Sequence, residues 1–155
     1  MITANEKVGA ENFSKSLMYQ IHMMMFLTEK RLEKKLEDMS PLSFSQFVIL
    51  MGVTCQHGDA GTQSTLADFL HMTEATISRH IKILSGNGFL FKEQSPENKK
   101  VRLLKLTEPG KSVFSKAEKI IQKELDAIFS PIGIKEQKSL YKEFDKLRHS
   151  LLIQE

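Results

Sequence analysis

Thr62-Gln-Ser-Thr-Leu-Ala-Asp-Phe-Leu-His-Met-Thr-Glu-Ala-Thr-Ile-Ser-Arg-His-Ile-Lys-Ile-Leu-Ser-Gly-Asn-Gly-Phe-Leu-Phe91 decides the fold. It reads as two short amphipathic helices joined by a tight turn, then a glycine stop and an apolar run. Thr62 is placed to cap the first helix, which should bury Leu66, Phe69 and Leu70. Thr73 is placed to cap the second, with Met72 and Ile77 spaced for a hydrophobic staple. Ile77, Ile81 and Leu84 fall at i, i+4 and i+7, so they define an inward face. Ala75, Ser78, Arg79 and Lys82 lie opposite, with Thr76 at the flank. This pattern is that of a helix-turn-helix, whose second helix enters the DNA major groove. Small side chains there allow close approach to base edges, and cations meet phosphates or guanines. A solvated helix face is the competing reading.

Downstream, Gly86-Asn87-Gly88 ends that helix. Phe89–Gln94 and Lys100–Leu106 read as strands around Ser95-Pro-Glu-Asn-Lys99, a stretch rich in turn formers. The expected hairpin is a wing, with Lys99 and Lys100 at or just beyond its tip, within reach of a minor groove. Thr107 is placed to cap a long helix to about Phe129, striped by Val113, Phe114, Ala117, Ile120, Ile121, Leu125 and Ile128. Pro109 falls in its first turn, where proline is tolerated. Ser130-Pro131-Ile-Gly133 breaks the chain before a last helix, about 135–152. That helix carries Leu140, Phe144, Leu147 and Leu151 on one stripe.

Upstream, residues 12–37 read as one helix with Phe13, Leu17, Ile21, Met24, Met25, Leu32 and Leu36 recurring at helical spacing. Ser40-Pro41 is a break. Ser43 and Gln46 form a capping box, Leu42 and Phe47 a staple, for a helix from Phe44 to about Cys55. Gly58-Asp-Ala-Gly61 is the expected stop. The apolar stripes of the first and last two helices exceed what a small winged helix can cover. A homodimer built from both ends of the chain is the economical answer.

Composition narrows the class. At 155 residues, with 41% hydrophobic and 26% charged residues, the chain is expected to form one soluble domain. The net charge of +3 is modest, but its distribution is not even. Residues 79–105 hold Arg79, Lys82, Lys92, Lys99, Lys100, Arg102 and Lys105 against only Glu93 and Glu97. A local basic patch of this kind is a nucleic-acid footprint. One cysteine excludes an intramolecular disulfide and fits a cytoplasmic setting. No signal peptide is visible, and Met23-Met-Met-Phe-Leu27 is too short to span a bilayer.

With these elements in place, the chain resembles the MarR family of bacterial transcription regulators. The resemblance rests on Leu42-Ser-Phe-Ser-Gln-Phe-Val-Ile-Leu50, Leu66-Ala67, Thr76-Ile-Ser-Arg79, Gly88-Phe-Leu90 and Leu106-Thr-Glu-Pro-Gly110. With helices in matching order, it covers about residues 12–152. It implies a mainly α fold with a small β-hairpin wing, a winged helix-turn-helix over about residues 40–108. Residues 12–37 and 109–152 would be dimerisation helices. It also implies an obligate homodimer on a pseudo-palindromic double-stranded operator, acting as a ligand-responsive repressor or activator. The candidate DNA-contacting set is Thr62, Thr73, Ala75, Thr76, Ser78, Arg79 and Lys82, with Asn98, Lys99 and Lys100 from the wing. The family's wing usually carries Asp-x-Arg, where this chain has Asn98-Lys99-Lys100. Asn98 cannot form the orienting ion pair, and lysine enters a narrow minor groove less readily than arginine. Recognition is therefore expected to lean on Arg79 and its helix.

An effector site between the dimer helices and the winged helix would be lined by Tyr19, His22, Met25 and Phe47, although packing competes for each. Cys55 follows an apolar helical run and is expected to be a buried structural thiol; the alternative is a redox-responsive regulator using Cys55. His22, His57, His71, His80 and His149 show no ligand-type spacing, so no metal or cofactor is expected. Phosphate loop, nucleophile elbow and His-Glu-x-x-His are all missing, so the chain does not read as an enzyme. A winged-helix dimer acting mainly through protein–protein contacts is the remaining alternative.

Overall fold

The computed structural model describes residues 12–56 and 61–152, so His57 and most of the Gly58–Gly61 stop lie outside the described residues. Its elements are α1 (Leu17–Met39), α2 (Phe44–Cys55), α3 (Gln63–Leu70), α4 (Glu74–Gly86), β1 (Leu90–Gln94), β2 (Arg102–Leu106), α5 (Glu108–Phe129) and α6 (Ile134–Leu152). They fall into two compact units, one up to Ile121 and one from Gln122 onward.

The first unit is a helical core carrying a two-stranded antiparallel hairpin. Local capping sets where its helices start. Ser43 accepts the Gln46 N–H and Gln46 returns a bond to the Ser43 N–H, the expected reciprocal box. Glu33 of α1 adds a bond from outside, accepting the Phe44 N–H at 2.6 Å. Thr62 caps α3 through the Thr65 N–H, and Thr73 caps α4 through the Thr76 N–H. The turn between α3 and α4 passes through His71, a non-glycine residue at φ 51°.

The core is the sum of the inward faces. Leu32 and Leu36 of α1, Phe47, Ile49, Leu50 and Val53 of α2, Leu66 and Ala67 of α3, and Ile77, Ile81 and Leu84 of α4 are all buried. Each large aliphatic side chain among them contributes about 1.5–3 kcal/mol by leaving water. Phe47 stacks on Phe114 of α5, ring centroids 5.4 Å apart. The hairpin pairs Leu90 with Leu106 and Gln94 with Arg102 at its two ends. Leu104 N–H donates to the Gly61 carbonyl at 2.7 Å, which pins the segment before α3 against β2.

The α5 start is a packed corner. Thr107 donates its hydroxyl to the Gly88 carbonyl at 2.6 Å and accepts the Gly110 N–H at 2.9 Å. Gly110 itself lies so close to the Phe89 carbonyl that a Cβ there would collide with backbone. Gly88, at φ +72°, supplies the left-handed step out of α4.

Three expectations need correction. The first helix is not continuous from residue 12: a bend at residues 15–16 precedes α1, because Ser16 accepts the Tyr19 N–H and caps a new start at Leu17. Phe69 is 49% exposed and Ala67 takes the buried place instead, because α3 presents its Leu66–Ala67 edge to the core. Cys55 is exposed, not buried. The packed face of α2 ends at Val53, and Thr54 and Cys55 form a last turn that leaves the core. The N-terminal apolar stripe is, as its length led us to expect, only half used within the chain. Leu32 and Leu36 are buried, whereas Phe13, Leu17, Met24 and Met25 are more than half exposed.

The second unit contains α6, which has no buried residue. Its stripe of Leu140, Phe144, Leu147 and Leu151 is 43%, 43%, 47% and 75% exposed. Asp145 pairs with Arg148 at 2.6 Å, and the hydrogen bond from that guanidinium lowers the Asp145 pKa. No described helix is long and apolar enough to cross a membrane.

Candidate nucleic-acid interface

The amphipathic pattern of α4 determines which side chains it offers to solvent. Burial of Ile77, Ile81 and Leu84 at 0%, 3% and 0% exposure locks the helix rotation. Ala75, Thr76, Ser78, Arg79 and Lys82 are left exposed on the outer side. Ala75, Thr76 and Ser78 are small and neutral, Glu74 is exposed beside them in the first turn, and the cations follow one turn later. Thr73 and Thr76 are both exposed, but their hydroxyls lie 2.9 Å apart and are occupied with each other and the cap. Thr62 is only half-buried at the start of α3, and its hydroxyl is likewise tied to Thr65. Thr62 and Thr73 therefore act first as helix caps.

The wing loop is held by a set of short-range bonds. Ser95 is 2% exposed, and its hydroxyl oxygen accepts the N–H groups of Glu97 and Asn98. Asn98 Oδ1 accepts the Lys100 N–H at 3.0 Å, forming an Asx turn. Gln94 Nε2 donates to the Lys99 carbonyl at 2.6 Å. Asn98 therefore shapes the backbone under Lys99 and Lys100, both of which stay exposed. Its amide needs no charge for that task.

Arg79, Lys82, Lys99 and Lys100 make no ion pair with a carboxylate among the described residues. Lys105 differs: it bridges to Glu93 across the hairpin. Lys92 belongs to the basic patch but not to the contact set expected from the sequence. The structure puts it on β1, with its ammonium 3.3 Å from Gln63 Oε1 at the start of α3. Strand alternation was the available signal, since Lys92 and Glu93 must face opposite sides of the hairpin.

The four effector-site candidates differ in their surroundings. Phe47 is buried in the core, Tyr19 is half-buried and edge-on to Phe13, and His22 and Met25 are exposed on α1. Two open grooves lie on the first unit, and none of the four lines either. Among the described residues there is no cluster of metal-ligating side chains.

Comparison with known proteins agrees with this geometry. The model of the MarR family matches residues 42–101. The uncharacterized HTH-type transcriptional regulator YdcH of Bacillus subtilis (strain 168) is 30% identical over 112 residues, covering 70% of this chain and 74% of YdcH. The uncharacterized HTH-type transcriptional regulator YdgJ of the same organism is 22% identical over 95 residues. That match covers 61% of this chain and only 58% of YdgJ. The S. aureus MepR–DNA complex superposes with a TM-score of 0.77 at 19% identity, covering 88% of this chain and 96% of that one. At that identity the likeness establishes the fold.

Proposed function

The chain belongs to the MarR family, and from that membership we propose that it is a sequence-specific, double-stranded DNA-binding transcription regulator. It acts as a homodimer in the cytoplasm on a pseudo-palindromic operator and carries no catalytic activity. Residues 1–155 form one regulator, with about 40–108 binding DNA and the flanking helices dimerising. The observation that carries this reading is the outer face of α4: small residues, then uncompensated cations, on a helix whose rotation the core has locked. Two such helices, one from each protomer, would enter successive major grooves roughly 34 Å apart. Ligand-responsive repression is typical of this family, and the same behaviour is proposed for this chain.

Arg79 is assigned to base reading, with Ala75 and Ser78 permitting the approach. Arg79→Ala should cost about 1–3 kcal/mol on the preferred site and relax one base position in each half-site. Selection of bound fragments from random duplexes, followed by anisotropy titration, measures both. Equal loss on every sequence would reassign Arg79 to phosphate contact. No duplex binding by the unaltered protein at low salt would sink the whole reading.

Lys99 and Lys100 are assigned to the DNA backbone beside the wing, on the turn that Asn98 shapes. Lys100→Ala should weaken binding modestly and make the salt dependence shallower by about one unit per lost contact. Lys100→Arg should tighten binding, because a guanidinium loses less on entering a narrow minor groove. A change in preferred sequence on Lys100→Ala would make the wing a primary reader.

A further inference from the structure

We propose that the groove between α4 and β1 seats a backbone phosphate of the bound duplex, gripped jointly by Lys82 from the helix and Lys92 from the wing strand. This inference rests on the DNA-binding reading and adds a contact on β1, away from both the helix face and the wing tip.

The groove measures about 540 Å³ and is lined by Ser78, Ile81, Lys82, Ser85, Leu90, Phe91 and Lys92. Its chemistry has three parts. Two lysines line it, and the ammonium of neither forms an ion pair with a carboxylate among the described residues. Two serine hydroxyls, both on exposed residues of α4, can donate to an anionic oxygen. Ile81 and Leu90 are buried, at 3% and 2% exposure, and they form an apolar wall. Such a wall lowers the local dielectric and strengthens the field of the two cations.

The surrounding charges reinforce this assignment. Glu93, the acid next to Lys92, faces the other side of the hairpin, where it is neutralised by Lys105. Gln63 holds the Lys92 ammonium through an uncharged amide oxygen at 3.3 Å, which positions the cation without cancelling it. Gln63 is the first residue of α3, so the positive end of that helix adds to the same potential. Ser78 and Lys82 also belong to the outward face of α4, so a duplex docked on that face lies over the groove mouth.

The test is an anisotropy titration of a mixed-sequence duplex, long enough for two half-sites, at about 50 and 200 mM KCl. The proteins are the wild type, Lys92→Gln, Lys92→Arg and Lys111→Gln. Lys111 is paired with Glu108 and lies outside this groove. One lost phosphate contact removes about a 3.5-fold salt effect over that range, so two lost per dimer remove roughly tenfold. Lys92→Gln should show that shallower slope, Lys92→Arg should keep the wild-type slope, and Lys111→Gln should change it much less. Thermal melts of each variant confirm folding. An unchanged slope in Lys92→Gln, or an equal change in Lys111→Gln, overturns the phosphate seat while leaving the DNA-binding reading intact. Absence of duplex binding by the wild type overturns both.

Discussion

Leu147→Glu is expected to convert the protein to a monomer and to weaken binding to a two-half-site duplex by about 10²- to 10⁴-fold. Leu147 is 47% exposed on α6, within a stripe that also leaves Leu140, Phe144 and Leu151 in solvent. In one chain by itself, a glutamate at so exposed a position should shift stability by no more than about 0.5 kcal/mol. In the proposed dimer the partner would cover the same stripe, and a carboxylate buried there without a cation would oppose association. The second half-site is held only because the first tethers it, so losing the dimer removes that gain in effective concentration without touching one DNA contact. Sedimentation equilibrium reads the mass, and anisotropy reads the affinity. A Leu147→Glu protein that remains dimeric and binds as tightly as the wild type would remove α6 from the dimer interface.

Gly110→Ala should be strongly destabilising, because the closest contacts of the added methyl are backbone atoms. The new Cβ would meet the carbonyl of Phe89, a backbone atom with no rotamer through which to withdraw. Either α5 moves off the wing, breaking the bonds from Gly110 and Thr107 that fix the corner, or the strain stays. We expect a loss of about 2–3 kcal/mol, or roughly 5–10 °C in Tm for a chain of this size. Gly86→Ala is the control. Nothing lies within 4 Å of its added Cβ, so that variant should be neutral or slightly more stable. Thermal melts of both variants decide the matter, and a Gly110→Ala protein as stable as the wild type would refute the close-packing argument.

The boundaries of most helices were legible because they depend on neighbours within a few residues. Ser43 and Gln46, Thr62, Thr73 and Thr107 each satisfy backbone groups within a turn of themselves. The inner face of α4 was legible for a similar reason, since a period of 3.6 and three aliphatic residues leave one rotation that buries them all. The candidate DNA-facing residues followed as the complement of that face. The wing turn was visible from its residue types, but the role of Asn98 was not. Its departure from Asp-x-Arg suggested a lost ion pair, whereas the side chain forms a neutral Asx turn to Lys100.

What the sequence by itself determined, then, is the order of elements, their caps and the outward side of the recognition helix, all set by local bonds and periodicity. Tertiary structure alone decided which apolar residues the core accepts: Ala67 is buried, while Phe69 and Cys55 are left in solvent. It also decided that Glu33 caps a helix eleven residues away, that Gly110 must admit the Phe89 carbonyl, and that Lys92 shares a groove with Lys82. The physical reason is common to all of these. Each depends on the distance between segments brought together by packing, and no spacing along the chain encodes that distance.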